Sequence, residues 1–444
     1  MSMIVKNNMG AVRTLNTLNK NSKALNKSLT KVASGMKINS AEDDASAYAI
    51  SERMRVRIRS LDQANQNTQN DSALMKTAEG AIQNTIEILK SLKEKAINAA
   101  NDSNTDEDRQ TIQKEVDQFI DQIDDNALVQ FNGKYLVDGS KNNARWSCRT
   151  IFINQNFTEK HPTDPNDVFN FRSNRATNLQ TRSGEPLNLQ TTDRYQVSWM
   201  VNGKISTYSG TISGNTSLYV DVFQKMGLNF TYADANGKIR QDGIDKFGQT
   251  VYMPDGTSGV ALISTAAGLD KQISGLTISF MDAEGNIKKD VNKIFEFKLL
   301  QRAENQTGDK SLTFHVGSEA NVAIKVGLTD MRAHALGLKG TDGTKVSVTT
   351  KENANAAINV FDNALSMALD QITTIGAVQA RLEYTAANLA TSSENVQASE
   401  SVIRDADMAK EMTSYTKNNV LLQTAQAMLA QANQNSSAVL GLLQ

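Results

Sequence analysis

All four prolines of this chain (Pro162, Pro165, Pro186 and Pro254) and 19 of its 26 glycines lie between residues 141 and 350. These are the residues that helices tolerate least, so both ends are free to form long helices while the centre is not. Both tryptophans (Trp146 and Trp199), all three histidines and the single cysteine, Cys148, fall in the same block. The chain divides into helix-permissive ends and a centre that reads as strands and turns. Its 444 residues exceed one domain of ordinary size, and two to four domains are expected.

The ends carry a regular apolar rhythm. Ala11, Leu15, Leu18, Ser22, Leu25, Leu29 and Val32 alternate spacings of four and three, the seam of a supercoiled helix. Ala78, Ile82, Thr85, Leu89, Leu92, Ala96 and Ala99 repeat it. From about Thr105, an acidic first turn (Asp106, Glu107, Asp108) precedes Ile112, Val116, Phe119 and Ile123, a pattern that suits the helix dipole. The longest seam runs through Ile358, Phe361, Leu365, Ala368, Ile372, Ile375, Gln379, Leu382, Ala386, Leu389, Ser393 and Val396. After a break near Asp405 and Asp407, a last helix presents Met408, Met412, Tyr415, Leu422 and Leu429 on one stripe, and Leu421, Ala425, Met428 and Ala432 on a second.

Two apolar stripes require neighbours on two sides. From Val420 to Gln444 there is no charged side chain, so the segment is poorly suited to stand alone in water and suited to the interior of an assembly or, alternatively, to a buried C-terminal helix of a monomeric domain. The positions expected to carry that packing are Leu15, Leu18, Leu25, Leu29, Leu422 and Leu429.

The centre alternates strand-like runs with tight turns. Asn202-Gly203 is a strong two-residue hairpin signal, and similar turns are expected at Asn236-Gly237 and Glu284-Gly285-Asn286. The segments around Leu312 to Gly317 and Val322 to Leu328 read as strands returning to the helical body.

Nothing points to catalysis, a cofactor or a metal. No zinc-protease, Cys-x-x-Cys, P-loop or nucleophile-elbow spacing surrounds the histidines. Asp43 and Asp44 are adjacent, so on a helix their side chains diverge by about 100° and read as helix-start charge. Residues 234–243 lack the spacing and closing glutamate of a calcium loop and read as a turn. With 47 Lys and Arg against 48 Asp and Glu, charge gives no reason to expect nucleic acid or a membrane as partner. One cysteine excludes an intramolecular disulfide, and no apolar stretch approaches the roughly 20 residues of a membrane span. The N-terminus lacks the apolar segment of a secretory signal peptide, so if the protein leaves the cell it uses a route that does not read one.

Two long stretches resemble a known family. MIVKNNMGAVRTLNTLNKNSKALNKSLTKVASGMKINSAEDDASAYAISERM and its continuation to about residue 140 resemble the N-terminal region of bacterial flagellins. From LGLKG through SVIRDADMAKEMTSYTKNNVLLQTAQAMLAQANQNSSAVLGLLQ the sequence is similar to their C-terminal region. The resemblance covers about 1–140 and 311–444. It implies an elongated, multi-domain protein, mainly α at both termini, in which paired N- and C-terminal segments form a coiled-coil-like bundle around a β-rich central module. The implied domains are 1–44 with 405–444, 45–140 with 311–404, and an outer module over 141–310.

The resemblance further implies a subunit that polymerises into an extracellular flagellar filament for swimming, exported through the flagellum's own type III apparatus. The implied partners are copies of itself, an export chaperone, the filament cap and hook-associated proteins. Two alternatives stay open: a hook–filament junction protein, and a filament subunit whose centre is an adhesin or enzyme. Flagellins that activate the host Toll-like receptor resemble one another in a Leu-Gln-Arg, variable, Arg-Glu-Leu pattern. This protein has Leu89 and Glu94 in place, with Ser91 where the first arginine stands and Lys95 for the closing leucine. Weak recognition is therefore expected.

Overall fold

The computed structural model describes residues 8–145, 147–154, 156, 176–179, 181, 185–214, 216, 218–231, 240–244, 250–252 and 260–441. Its helices are α1 (Met9–Ser34), α2 (Ala45–Ala99), α3 (Asp106–Ala127), α4 (Lys289–Ile294), α5 (Lys351–Arg404) and α6 (Met408–Gly441). The strands run from β1 (Gln130–Phe131), β2 (Lys134–Tyr135) and β3 (Arg149–Asn154) to β4 (Arg194–Val201), β5 (Lys204–Thr211), β6 (Leu228–Thr231) and β7 (Arg240–Ile244). They continue with β8 (Thr250–Tyr252), β9 (Val260–Ala267), β10 (Ile273–Met281), β11 (Lys298–Gln301), β12 (Leu312–His315) and β13 (Ala323–Val326). The protein forms two compact units, one of Met1–Thr68, His315–Val322 and Tyr384–Gln444, the other of Gln69–Phe314 and Ala323–Glu383.

In the second unit the α2 seam lies inside: Ala78, Ile82, Thr85, Leu89, Leu92, Ala96 and Ala99 are each at most 2% exposed. The helix α3 starts with a reciprocal cap. Thr105 Oγ1 accepts the Asp108 N–H, and the Asp108 carboxylate accepts the Thr105 N–H at 2.9 Å. Arg109, buried in the same turn, donates to the carbonyls of Ala99 and Asn101 and so ties the start of α3 to the end of α2. The inward face of α3 holds Val116, Ile120 and Ile123, while Phe119 from the expected seam is only half-buried. That face is broader than a simple seam because the segment before α5 also lies on α3. Gln113 donates to the Val346 carbonyl at 3.0 Å and accepts from the Val348 N–H, and Lys345 pairs with Asp121 at 2.6 Å.

Among the described residues the centre folds as two larger antiparallel sheets, ordered β11-β3-β9-β6 and β10-β4-β5, beside the two-stranded ladder β7-β8. Alternate residues of β4 (Tyr195, Val197) and β10 (Leu276, Ile278, Phe280) meet Phe152 of β3, Leu228 of β6 and Leu262 of β9 in one apolar core. Phe295, just past α4, closes it against Phe280, with ring centroids 4.7 Å apart. The sheet of β4, β5 and β10 lies against α5. A Cβ on Gly275 would stand 2.5 Å from Val360 Cγ2, and Asn359 and Asn363 donate to Thr277 Oγ1 and the Ser274 carbonyl at 2.7 and 2.8 Å.

Asn202-Gly203 turns β4 into β5. The turn at Glu284-Gly285-Asn286 is held by the Asp282 carboxylate, which accepts the N–H groups of Glu284 and Asn286. It leads to a single bridge, Met281 to Ile287, and then to α4 instead of a second strand. The expected turn at Asn236-Gly237 and most of 234–243 lie outside the described residues. Asp43 lies in a turn and Asp44 just ahead of α2, and the two side chains take different partners. Asp44 caps α2 by accepting from Ser46 and Ala47 N–H, while Asp43 pairs with Lys27 at 2.7 Å.

Asp71 on α2 has its carboxyl pushed up to about 6 by desolvation. Its folded pKa exceeds the unfolded value, so its contribution is fully present below the unfolded pKa and is lost as pH rises toward 6. Asp71→Asn should raise the thermal midpoint at neutral pH and flatten its decline between about pH 4 and 6. Melts followed by circular dichroism across that range check both effects.

Candidate assembly surface

In the first unit, α1 and α6 lie side by side and antiparallel. Asn8 Nδ2 donates to the Ala432 carbonyl, Asn21 Nδ2 to the Leu421 carbonyl and Asn418 Nδ2 to Ser28 Oγ, while Lys31 pairs with Glu411 at 3.8 Å. As the first number rises, the second falls. The start of α1 is fixed by Asn8 Oδ1, which accepts the Ala11 N–H at 2.9 Å. Its end is a left-handed Gly35, whose N–H returns to the Lys31 carbonyl.

Of the six residues expected to pack, Leu18, Leu25, Leu422 and Leu429 are half-buried. Leu15 and Leu29 are 46% and 48% exposed. The inner face of α1 is shifted from the expected seam because Ser28, held by Asn418, takes the place facing α6 and turns Leu29 outward. The stripes of α6 also divide differently. Tyr415, Leu422, Ala425, Leu429 and Ala432 are buried or half-buried, whereas Met408, Met412, Val420, Leu421 and Met428 stand open. Small Ala425 is the most buried of the first group, which fits close approach of two helices.

A single copy therefore covers one face of each terminal helix and leaves the remaining apolar residues bare. On α1 the bare residues are Met9, Val12, Leu15 and Leu29. Among the described residues of the α1–α6 pair, only Ser28 and Ala425 are buried, at 7% and 5% exposure. Two helices with so small a shared core are marginal on their own.

Sequence reasoning passed over the group that joins these helices to the rest of their unit. Met36 and Asp405 form an antiparallel bridge, with Lys37 N–H donating to the Arg404 carbonyl and Ala406 N–H to the Gly35 carbonyl. The buried Arg404 guanidinium donates to Ser51 Oγ at 3.0 Å and Glu52 Oε1 at 2.6 Å, reaches Met36 Sδ, and lies 5.5 Å from the Tyr48 ring centre. Its hydrogen bond holds the Glu52 carboxyl below the usual range. A lone arginine beside the break at Asp405 was the available signal. Farther along this unit, Leu61, Ala64 and Leu389 pack together with Val396 against them, and Ser393 Oγ donates to Asp62 at 2.8 Å.

On the second helix, Leu89 is wholly buried, Ser91 Oγ donates to the Glu87 carbonyl at 3.1 Å, Glu94 is exposed, and Lys95 forms an ion pair with Glu115. Among the described residues no group of three or more His, Cys, Asp or Glu could hold a metal ion.

Comparison with known proteins agrees with the helical ends. The model of the bacterial flagellin N-terminal helical region matches residues 5–142, and that of the bacterial flagellin C-terminal helical region matches 358–443. A flagellin of Clostridium tyrobutyricum is 33% identical over 98% of this chain and 100% of its own length. A flagellin of Bacillus subtilis (strain 168) is 29% identical over 99% of this chain and 100% of its own. The solved flagellar junction protein FlgL from Legionella pneumophila is 16% identical, aligned over 80% of this chain and 100% of that one, with a TM-score of 0.31. Matched at both ends and, by its curated relatives, along its whole length, the chain belongs to the bacterial flagellin family.

Proposed function

We propose that this flagellin works by polymerisation: it is the structural subunit of a flagellar filament, and its terminal helices bury their bare stripes against neighbouring copies. The observation that carries this reading is the set of exposed apolar residues, Met408, Met412, Val420, Leu421 and Met428, spread around the uncovered side of a helix whose last turns carry no charged side chain. Each such side chain contributes about 1.5–3 kcal/mol on full burial, before the cost of ordering it. A surface of this kind repeated on every copy makes a contact that need not close on itself, and an open helical polymer follows. The pairing of 1–44 with 405–444 supplies the inner part of the polymer, 45–140 with 311–404 its surrounding body, and 141–310 its outward module.

The filament is extracellular and swimming is its use. No described helix is long and apolar enough to cross a membrane. An export chaperone would occupy the same bare stripes before assembly, and the filament cap and hook-associated proteins would meet them at the two ends of the polymer. The role is structural and not catalytic, as the flagellin relatives suggest.

Substitutions on the two stripes separate assembly from folding. Met428 is 59% exposed, so Met428→Asp should leave the monomer's helicity unchanged and abolish polymerisation, since an unpaired charge buried at each subunit contact costs several kcal/mol. Leu429→Asp, on the covered stripe, should block polymerisation and also loosen α1 from α6. Sedimentation and electron microscopy of seeded assemblies, with circular dichroism of the monomers, report both. A Met428→Asp variant that still forms filaments would sink the proposed surface.

Hydrogen exchange should also order the helices. In verified monomer, amides of α1 and α6 should exchange faster than those of α2 between Ala78 and Ala99, whose apolar side is covered throughout. In filaments the difference should shrink.

Recognition by the host Toll-like receptor should be weak. Ser91 cannot supply an arginine's fork of donors, and an apolar contact at Lys95 would require breaking its pair with Glu115 and desolvating the ammonium. The double change Ser91→Arg and Lys95→Leu should strengthen signalling by at least about tenfold in reporter cells treated with monomer.

A further inference from the structure

The pair Asn-Gly occurs twice among the described residues, each time as the two-residue turn of a hairpin. Asn132-Gly133 joins β1 to β2 with φ of 50° and 73°, and Asn202-Gly203 joins β4 to β5 with φ of 52° and 77°. With the turns this alike, any difference in their chemistry comes from what surrounds them.

The surroundings are opposite. Asn132 and Gly133 are both exposed, no described residue holds the Asn132 amide, and a Cβ on Gly133 would meet nothing within 4 Å. Asn202 Oδ1 instead accepts from the Thr341 N–H at 2.8 Å and from Thr341 Oγ1 at 3.2 Å. Gly203 is buried, and a Cβ there would stand 2.1 Å from the Thr344 carbonyl oxygen. The hairpins differ as much as the turns' neighbours. The strands β1 and β2 have 2 residues each, with one further bond from the Leu136 N–H to the Val129 carbonyl. The strands β4 and β5 have 8 residues each, and β4 is also paired with β10.

We propose that Asn132 is a site of spontaneous deamidation and that Asn202, in the same kind of turn, is protected. The Gly133 backbone nitrogen, losing its proton, attacks Asn132 Cγ. A bond forms between that nitrogen and Cγ, the bond from Cγ to Nδ2 breaks, and ammonia leaves with the proton. Water then opens the resulting five-membered imide at either of its two carbonyls, giving aspartate or, when the backbone carbonyl is attacked, isoaspartate. The sum is amide plus water to carboxylic acid plus ammonia, with no oxidant or reductant. Glycine is the least obstructive nucleophile because it has no side chain.

Closing the ring requires the nitrogen to swing toward the Asn132 amide, so the left-handed turn must open first. A hairpin with 2-residue strands opens locally at small cost, whereas opening β4–β5 breaks a long ladder and the Thr341 bonds together. Either product places a carboxylate in the turn. Isoaspartate also lengthens the backbone by one carbon, so the pairing of Phe131 with Lys134 cannot persist.

The test is ageing of the purified full-length protein in mildly alkaline buffer, native and in urea, followed by proteolysis, mass spectrometry and labelling with an isoaspartate methyltransferase. In the native protein Asn132 should convert at least about tenfold faster than Asn202, and urea should bring the two rates together. A native ratio below about tenfold, or an Asn132 that stays intact in the native protein while converting in urea, overturns the assignment.

Discussion

Antiparallel pairing of the first helices of the protein with its last ones is the constraint on which everything else depends. Asn8 and Ala432 are 424 residues apart in sequence and share a hydrogen bond. Within the other unit, Gln379 Nε2 reaches Glu79 Oε2 at 2.7 Å across 300 residues. Contacts this remote close very large loops, but the entropy of closure grows only with the logarithm of length. Doubling the length between the ends adds only about 0.6 kcal/mol. The two ends can therefore demand each other strictly while leaving the size of the intervening segment nearly free.

The centre is less independent than a freely appended module. Its two sheets share their own core, yet Gly275 brings β10 into contact with Val360 on α5, and Asn359 and Asn363 bond to that strand's backbone and Thr277. The Asn202 turn is likewise held by Thr341, in the segment that Lys339 and Lys345 tie to α3 through Asp124 and Asp121. The polar side chains around this junction specify where the β-rich part sits, a task that apolar contact alone performs poorly.

How much was legible depended on how many faces a helix must satisfy. Where α2 has one strong apolar side, all seven residues of the Ala78–Ala99 seam are inside, and none of the twelve seam residues of α5 is exposed. On α1 and α6, each with two apolar sides, period alone could not tell which side meets the partner helix. Ser28, which lies off the expected seam, and Ala425, read on the second stripe with the exposed Leu421 and Met428, mark the covered faces. The Asn202-Gly203 hairpin was readable because its signal is local. The pairing of β3 with β9 spans more than a hundred residues and has no sequence cue. Arg404 escaped notice because its importance lies in burial beside Ser51, Glu52 and Met36, residues near it only in three dimensions.

The charge-free stretch from Val420 onward also sets how the assembled protein meets its medium. Its side chains neither gain nor lose protons, and dissolved salt has no side-chain charge there to screen. Ion pairs such as Lys31 with Glu411 and Lys27 with Asp43 are where ionic strength takes hold. Apolar contacts made by the tail are thereby insensitive to charge screening, and their strength follows temperature and the exclusion of structure-making solutes from apolar surface.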